Sequence, residues 1–393
     1  MTSDNIKQLD AENVMQTYAR FDVAIDHGEG ATLYSPEGKE YIDFTSGIGV
    51  NSIGYGNKKW ADAIYAQAQK LQHISNLYYS EPYAKLAQQL TARTGFKNVF
   101  FSNAGGEANE GMIKLARKYS FDKYGKGRST IISLTQSFHG RTITTLAATG
   151  QEVFHNYFFP FTEGFKHVPA NSLEALENEL SDDVCGILIE LIQGEGGVLP
   201  LDPIYVKAIA ALCEENDVLL LIDEVQTGVG RTGTLFAFQQ YDIKPDVVSF
   251  AKGIAGGLPL GGIMAGEKCS GVLTPGTHAT TFGGNPVSAA GALEVLNQLD
   301  DEALSEVLKK SEYIKSRIKD WNIPVIGEIR GKGLMIGISL IGVVPRETAQ
   351  ACVDNGLLIL TAGADALRML PPLTITYSEI DKGLAILKSV LEE

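Results

Sequence analysis

The chain has 393 residues, and 33 Lys and Arg against 47 Asp and Glu give it a formal net charge of −14. A hydrophobic fraction of 44% with 20% charged residues is typical of folded globular proteins. The length exceeds the roughly 250–300 residues at which one core stops growing, so two or three domains are expected. The negative charge argues against nucleic acid or an anionic membrane as a partner.

Neither the cysteines nor the first residues indicate an exported or metal-binding protein. The four cysteines lie far apart without a CxxC pair, so we expect no metal site and no disulfide framework: Cys185, Cys213, Cys269 and Cys352. Residues 1–15 are polar and partly acidic, which fits neither a secretory signal nor a transit peptide. No apolar run of about 20 residues is present. A soluble cytoplasmic protein is expected.

In chain order, the apolar pattern predicts short strands first and then helices alternating with strands. Glycines interrupt strand-like runs between residues 14 and 56. Helical patterns then follow at 60–71, 82–94, 107–124, 172–180 and 203–216. Between them lie near-continuous apolar runs, typical of strands buried on both faces of a parallel sheet, at 99–101, 130–134, 186–192, 218–222 and 247–250.

After residue 286 the pattern changes to two long helices at 287–299 and 301–321. Short strands near 333–340 and 357–360 and a last helix at 378–391 follow. We therefore predict an α/β protein with a large domain at 59–285 and a smaller C-terminal domain at 286–393, with which the segment 1–58 packs.

The segment FFSNAGGEANE, residues 100–110, runs from a predicted strand into a helix start through small residues. Backbone N–H groups at such a helix start can bind an anion, so Gly105 and Gly106 are candidates for holding a phosphate. An ordinary glycine-rich turn would have the same composition.

The segment LLLIDEVQTGVGRTG, residues 219–233, places Asp223 at the carboxyl end of a buried strand, where open α/β sheets bind ligands. It also contains a G-x-G-x-x-G match at Gly228, Gly230 and Gly233. These glycines do not directly follow the strand, residues 234–238 have a β-like pattern, and no acid follows about 20 positions on. The pattern therefore disfavours a nicotinamide site.

Lys252, in VVSFAKGIAGGLPLGG at residues 247–262, ends another buried apolar run with no carboxylate within five residues. Burial lowers the pKa of an amine and makes it nucleophilic, which favours a lysine that condenses with an aldehyde. Alternatively, its ammonium reaches solvent past the strand end.

A phosphate-binding helix start, an acid and a lysine at neighbouring strand ends together meet the needs of pyridoxal phosphate. That cofactor requires an anchored phosphate, an acid beside its ring nitrogen and a lysine for its aldehyde. The segment SFHGRT, residues 137–142, adds the aromatic rings of Phe138 and His139 and a carboxylate-binding guanidinium at Arg141.

The order of these motifs resembles the class III (subgroup II) pyridoxal-phosphate aminotransferases and, within them, the acetylornithine aminotransferase subfamily. The resemblance runs nearly end to end. It includes YARFDVAIDHGEGATLYSPEGKEYIDFTSGIGVNSIGY, HISNLYY, SNAGGEANE, SFHGRT, ELIQGEGG, LIDEVQTGVGRTG, SFAKG, HATTFGGNP and LRMLPPLTI.

The resemblance implies the type I fold of pyridoxal-phosphate enzymes, with a mostly parallel seven-stranded sheet and a smaller α+β domain. It implies that Lys252 condenses with the cofactor and that Asp223 pairs with the ring nitrogen. The remaining cofactor contacts that it implies are Phe138, His139, Val225, Gln226, Gly105, Gly106 and, on the phosphate of a neighbouring subunit, Thr281. A homodimer with shared active sites is therefore expected.

For the substrate, the resemblance implies that Arg141 binds the carboxylate distal to the reacting amine and that Arg368 binds the α-carboxylate of glutamate. The resemblance also implies that Glu195 pairs with Arg368 during the first half-reaction and swings away during the second. Asn76 is a further substrate-binding candidate, and Glu190 is expected to help orient Gln226 and the edge of the cofactor.

Three positions depart from the usual pattern of the family. Ala104 and Gly106 stand where relatives often carry hydroxyl or larger side chains, so the phosphate site is expected to depend on backbone N–H groups and Thr281. Leu191 stands where most relatives have proline, in the loop before Glu195.

The resemblance further implies transfer of the terminal amino group of N2-acetyl-L-ornithine to 2-oxoglutarate, which is the reaction we expect. Ornithine, succinylornithine and other ω-aminotransferases share the named residues and remain alternatives. Two alternatives are more remote: a nicotinamide-dependent dehydrogenase, which would use the three glycines, and a catalytically silent binding protein.

Overall fold

A seven-stranded sheet forms the centre of the computed structural model, which describes residues 1–393. Six strands run in one direction, and Gly261–Ala265 is antiparallel to both of its neighbours. The spatial order is Asn98–Ser102, Gly261–Ala265, Val247–Phe250, Leu219–Asp223, Val184–Ile189, Thr130–Leu134 and Phe165–Val168. The expected α/β class with a mostly parallel seven-stranded sheet is confirmed.

The inner strands are buried along their whole length because helices cover both faces of the sheet. Their continuous runs of Val, Ile and Leu suit that position. The α-helices are Ser3–Asn13, Ser46–Gly49, Lys58–Lys70, Glu81–Thr94, Gly105–Tyr124, Ile143–Ala148, Leu173–Glu179, Pro203–Glu215, Pro286–Gln298, Asp301–Lys319, Pro345–Asp354 and Tyr377–Glu392. None of the helices is long and apolar enough to cross a membrane.

Smaller sheets join the two ends of the chain. One consists, in spatial order, of His27–Glu29, Thr32–Tyr34, Glu40–Asp43 and Leu357–Leu358, the last two in parallel. Another consists of Ile326–Lys332, Met335–Leu340, Ala366–Met369 and Leu360–Ala362. A two-stranded sheet pairs Ile192–Gln193 with Leu199–Pro200. The N-terminal segment thus shares a sheet with the C-terminal part, while the division at residues 58 and 285 stays a prediction.

Two predicted strands are wrong in part. The run 186–192 breaks after Ile189, because Glu190 turns inward and its carboxylate accepts hydrogen bonds from two backbone N–H groups. Residues 234–238 are not a strand, because 234–236 form a bend that leads into the 3₁₀ segment Ala237–Gln240. The main hydrophobic core continues from the central sheet into the C-terminal sheet without a break.

Candidate active site

A cavity of about 680 Å³ opens at the carboxyl ends of the central strands. Loops that follow Asn98–Ser102, Thr130–Leu134, Leu219–Asp223 and Val247–Phe250 form its walls. Ten of the residues that the sequence predicts for the site line this cavity: Gly105, Gly106, Phe138, His139, Arg141, Glu190, Asp223, Val225, Gln226 and Lys252. The topology therefore brings together residues that lie up to 147 positions apart in the sequence, from 105 to 252.

Lys252 follows directly after Val247–Phe250 and Ala251, with a φ of 47°, in the left-handed region. Its amine forms no hydrogen bond and no ion pair within the chain. Burial lowers the pKa of this amine, and the nearby carboxylate of Glu195 opposes that effect only in part. A lowered pKa favours the neutral form of the amine, and an unpaired neutral amine at a cavity is suited to nucleophilic attack and proton transfer.

Asp223 is buried at the end of Leu219–Asp223, and three groups orient its carboxylate. The Asn109 amide donates to Oδ2 at 2.7 Å, the His139 Nδ1 atom lies 2.9 Å from the same oxygen, and the Val225 N–H donates to Oδ1 at 3.0 Å. The acid is thus held rigidly at the cavity. Sequence reasoning missed Asn109, whose only signal is its place on the buried face of the helix, one turn after Gly105.

The helix Gly105–Tyr124 begins at the cavity wall, and no side chain caps it. Its N-cap residue is Ala104, which has no hydroxyl group that could bind the first N–H groups of the helix. A Cβ atom at Gly105 would lie 2.7 Å from Val225 Cγ1, so this position requires glycine. The first N–H groups of the helix are therefore left to an external acceptor, and an anion is favoured there.

Glu190 is buried and acts differently from the expectation that it orients Gln226. Its two carboxylate oxygens accept from the Phe138 N–H at 3.0 Å and the Gly194 N–H at 3.2 Å. It thereby joins the loop carrying Phe138 to the loop carrying Glu195. Burial raises the pKa of Glu190 to about 7.

Arg368 and Glu195 form a two-pronged ion pair beside the cavity. The distances are 2.7 Å from Nη1 to Oε1 and 3.2 Å from Nη2 to Oε2. Gln226 joins this pair, since its Oε1 accepts from Arg368 at 3.2 Å. Burial alone would raise the pKa of Glu195, but the Arg368 guanidinium outweighs it, and the pKa lies below its usual value. The pair is therefore charged at neutral pH.

Arg141 is the exposed cation of the cavity. Its guanidinium lies 3.9 Å from the ring centroid of Phe154 and 5.4 Å from that of Phe138, and it has no carboxylate partner. Stacking holds the side chain in place while its N–H groups remain available.

Thr281 and Asn76 do not line this cavity. They lie near each other on the surface, where the Asn76 amide donates to the carbonyl oxygens of Thr280 at 3.3 Å and Gly283 at 3.0 Å. Large apolar side chains around them are also exposed, among them Leu77, Tyr79 and Phe282.

The G-x-G-x-x-G segment is buried and is followed by turns rather than by a helix. The backbone N–H groups of its three glycines donate to carbonyl oxygens of the chain and are not free to bind a phosphate. The structure therefore excludes the dinucleotide site that the motif alone would suggest.

The family model described as aminotransferase class-III matches residues 14–391. The chain is 52% identical over 397 residues to an acetylornithine aminotransferase of Haemophilus ducreyi, covering 100% of both chains. It is 41% identical to a succinylornithine transaminase of Photorhabdus laumondii, covering 92% of each chain. A solved ornithine aminotransferase of Toxoplasma gondii, with PLP at partial occupancy in its active site, superposes with a TM-score of 0.94 at 30% identity, over 99% of this chain and 94% of that one.

Proposed function

The chain belongs to the class III aminotransferases, and on that basis we propose that it transfers the terminal amino group of N2-acetyl-L-ornithine to 2-oxoglutarate. The products are N-acetyl-L-glutamate 5-semialdehyde and L-glutamate, a step of arginine biosynthesis. The observation that carries the proposal is one cavity holding an unpaired lysine amine, an oriented buried acid and an unpaired arginine, beside a second arginine neutralised by a carboxylate.

Pyridoxal phosphate is the cofactor of this family, and the residues of the cavity fit it. The uncapped helix start at Gly105 and Gly106 suits the phosphate, because it presents N–H donors without a side chain that blocks approach. The carboxylate of Asp223, positioned by Asn109 and His139, suits the ring nitrogen. Phe138 and Val225 would pack on the two ring faces, with Gln226 at the ring edge.

When bound, pyridoxal phosphate supplies an aldehyde that condenses with amines and a ring that accepts the electron pair left on the substrate carbon. Lys252 would hold the aldehyde carbon between turnovers. Its Nζ atom would then take the proton from the carbon that bears the substrate amino group. The lowered pKa of Lys252 supports this role, because a base must be neutral at the pH of the reaction. Asp223 would keep the ring nitrogen protonated.

Substrate binding would depend on the two arginines. Arg141 would bind the α-carboxylate of N-acetylornithine or the side-chain carboxylate of glutamate. During the first half-reaction Glu195 would neutralise Arg368, so that a donor with a terminal amine meets no second free cation. During the second, Glu195 would release Arg368 for the α-carboxylate of glutamate or 2-oxoglutarate.

We further propose a homodimer in which Thr281 and Asn76 complete the site of the partner subunit. Their separation from the cavity of their own chain and the exposed apolar side chains around them support this arrangement. Mixing Lys252→Ala protein with Thr281→Ala protein tests it, because a hybrid dimer contains one intact site. Activity above that of either variant alone is expected, and no gain on mixing contradicts the shared site. A cytoplasmic location remains a prediction.

The specificity is tested by comparing kcat/KM for a panel of amine donors with 2-oxoglutarate as the acceptor. N-Acetylornithine is expected to exceed ornithine and 4-aminobutyrate. The similarity to a succinylornithine transaminase makes succinylornithine the second candidate donor. A clear preference for unmodified ornithine would contradict the proposal while leaving the aminotransferase family unaffected.

A further inference from the structure

Two of the three glycines of the G-x-G-x-x-G segment, Gly230 and Gly233, lie where the central sheet meets the C-terminal domain. Gly230 and Gly233 have φ values of 83° and 95°, which favour glycine. A Cβ atom at Gly230 would lie 2.9 Å from Leu373 Cδ1, and one at Gly233 would collide with Leu308. The glycines therefore allow this loop to pack tightly against the helix Asp301–Lys319 and the turn at Leu373.

Within the same loop, Arg231 is a buried cation without an ion-pair partner. Only 2% of its surface is exposed, and its guanidinium binds neutral oxygens. Nη1 donates to the carbonyl oxygens of Leu334 at 3.0 Å and Pro371 at 2.5 Å, and Nη2 donates to Ser46 Oγ at 3.4 Å. Burying an arginine in this way is costly, and three separate segments of the chain supply its acceptors.

All three acceptors lie next to the strand that carries Arg368. Pro371 is three residues after Arg368, and Leu334 precedes Met335–Leu340, in which Gly337 pairs with Arg368. The hydroxyl of Ser46 in turn donates to the Leu370 carbonyl oxygen at 2.6 Å. Arg231 also lies in the loop whose Gln226 accepts from Arg368. The Arg231 guanidinium therefore connects two segments that flank Arg368, the turn that follows its strand and the loop that carries Gln226.

We propose that Arg231 is a positioning residue that fixes Arg368 for substrate carboxylate binding, by holding the turn after Ala366–Met369 against the loop that carries Gln226. This inference rests on the proposed role of Arg368 in the second half-reaction. The glycine-rich segment then has a structural role at the boundary between the central sheet and the C-terminal domain, and it does not bind a nucleotide.

The test replaces Arg231 with Lys in the full-length holoenzyme and measures binding of glutarate, an unreactive dicarboxylate, by calorimetry. A lysine ammonium cannot span the three acceptors in the fork geometry of a guanidinium. The Kd for glutarate is expected to rise about tenfold, equivalent to about 1.4 kcal/mol. The kcat/KM for 2-oxoglutarate is expected to fall by the same factor, while the half-reaction with the amine donor stays within about twofold.

Lys310 lies at the same boundary between the central sheet and the C-terminal domain and offers a matched control. Its buried ammonium donates to the Leu373 carbonyl oxygen at 2.9 Å, beyond the turn that Arg231 holds. Lys310→Met is expected to lower the thermal midpoint but to leave glutarate binding within about twofold. Equal losses in both half-reactions of the Arg231→Lys protein, or the same glutarate defect in Lys310→Met, would overturn the positioning role.

Ser46→Ala keeps the test decisive if the Arg231→Lys protein fails to fold. This variant removes one acceptor of Arg231 and one donor to the Leu370 carbonyl, so a smaller loss of glutarate affinity is expected. Unchanged affinity would contradict the inference. Wild-type protein that binds glutarate but transfers no amino group would contradict the proposed function instead, and the binding data would still decide the role of Arg231.

Discussion

Replacing Glu195 with Gln separates the two states of the Arg368 site. In the wild-type protein, the carboxylate of Glu195 occupies both outer nitrogens of Arg368, at 2.7 and 3.2 Å. A glutamine of the same shape retains one acceptor but loses the charge. Arg368 then has no negatively charged partner at any stage of the cycle, so the substrate carboxylate no longer competes with a carboxylate of the chain.

The size of the effect follows from the ion pair. Two unit charges 4 Å apart attract by about 4 kcal/mol at an effective dielectric constant of about 20. Part of this energy is recovered when the released Glu195 is solvated. Hydrogen bonds to charged groups contribute about 1.5–3 kcal/mol, and we take that range for the net effect. It corresponds to a change of about 10- to 150-fold in relative affinity.

The measurement is the ratio of kcat/KM for glutamate to kcat/KM for N-acetylornithine, obtained from single half-reactions. The Glu195→Gln protein is expected to raise this ratio by about 10- to 150-fold. The exposed Glu177→Gln variant, which changes the net charge equally, serves as the control and should leave the ratio unchanged. A ratio in Glu195→Gln that equals the wild-type value would refute the ion-pair switch.

Two further predictions concern other charges of the cavity. Arg141→Ala should raise the KM of both substrates at least about tenfold, because each would lose a charge-assisted bond; unchanged KM values would exclude Arg141 as a carboxylate ligand. For Glu190, the folded-state pKa of about 7 exceeds its ordinary value, so folding takes up a proton between about pH 5 and 7. As the pH rises through that window, the free energy of unfolding of the wild-type protein should fall, relative to that of Glu190→Gln, by up to about 1.4 kcal/mol per pH unit. Denaturant unfolding at pH 5.5 and pH 7 measures the difference, and a constant difference would show that this carboxyl is ionised throughout.

The strand ends were predictable from the sequence because each follows an uninterrupted apolar run. Asp223 ends one strand and Lys252 lies two residues after the end of its parallel neighbour, and the register of the two strands pairs Asp223 with Ser249. Parallel strands place their carboxyl ends at one edge of a sheet, so the meeting of these two side chains follows from topology alone.

Elements that depend on long-range contacts were not predictable in the same way. The strand Gly261–Ala265 begins with two glycines and has a loop-like composition, and only its pairing with both neighbours makes it a strand. Glu190 interrupts an apolar run because distant N–H groups capture its carboxylate. The role of Asn109 requires the helix to lie against Asp223, which no local pattern indicates.

The central claim is that Lys252 carries the cofactor covalently between turnovers. Borohydride reduction of the freshly reconstituted holoenzyme, followed by peptide mapping, tests it directly. The account predicts one cofactor-sized adduct on the peptide that contains Lys252 and none in the Lys252→Ala protein. An adduct on another lysine, or none in active wild-type enzyme, would contradict it.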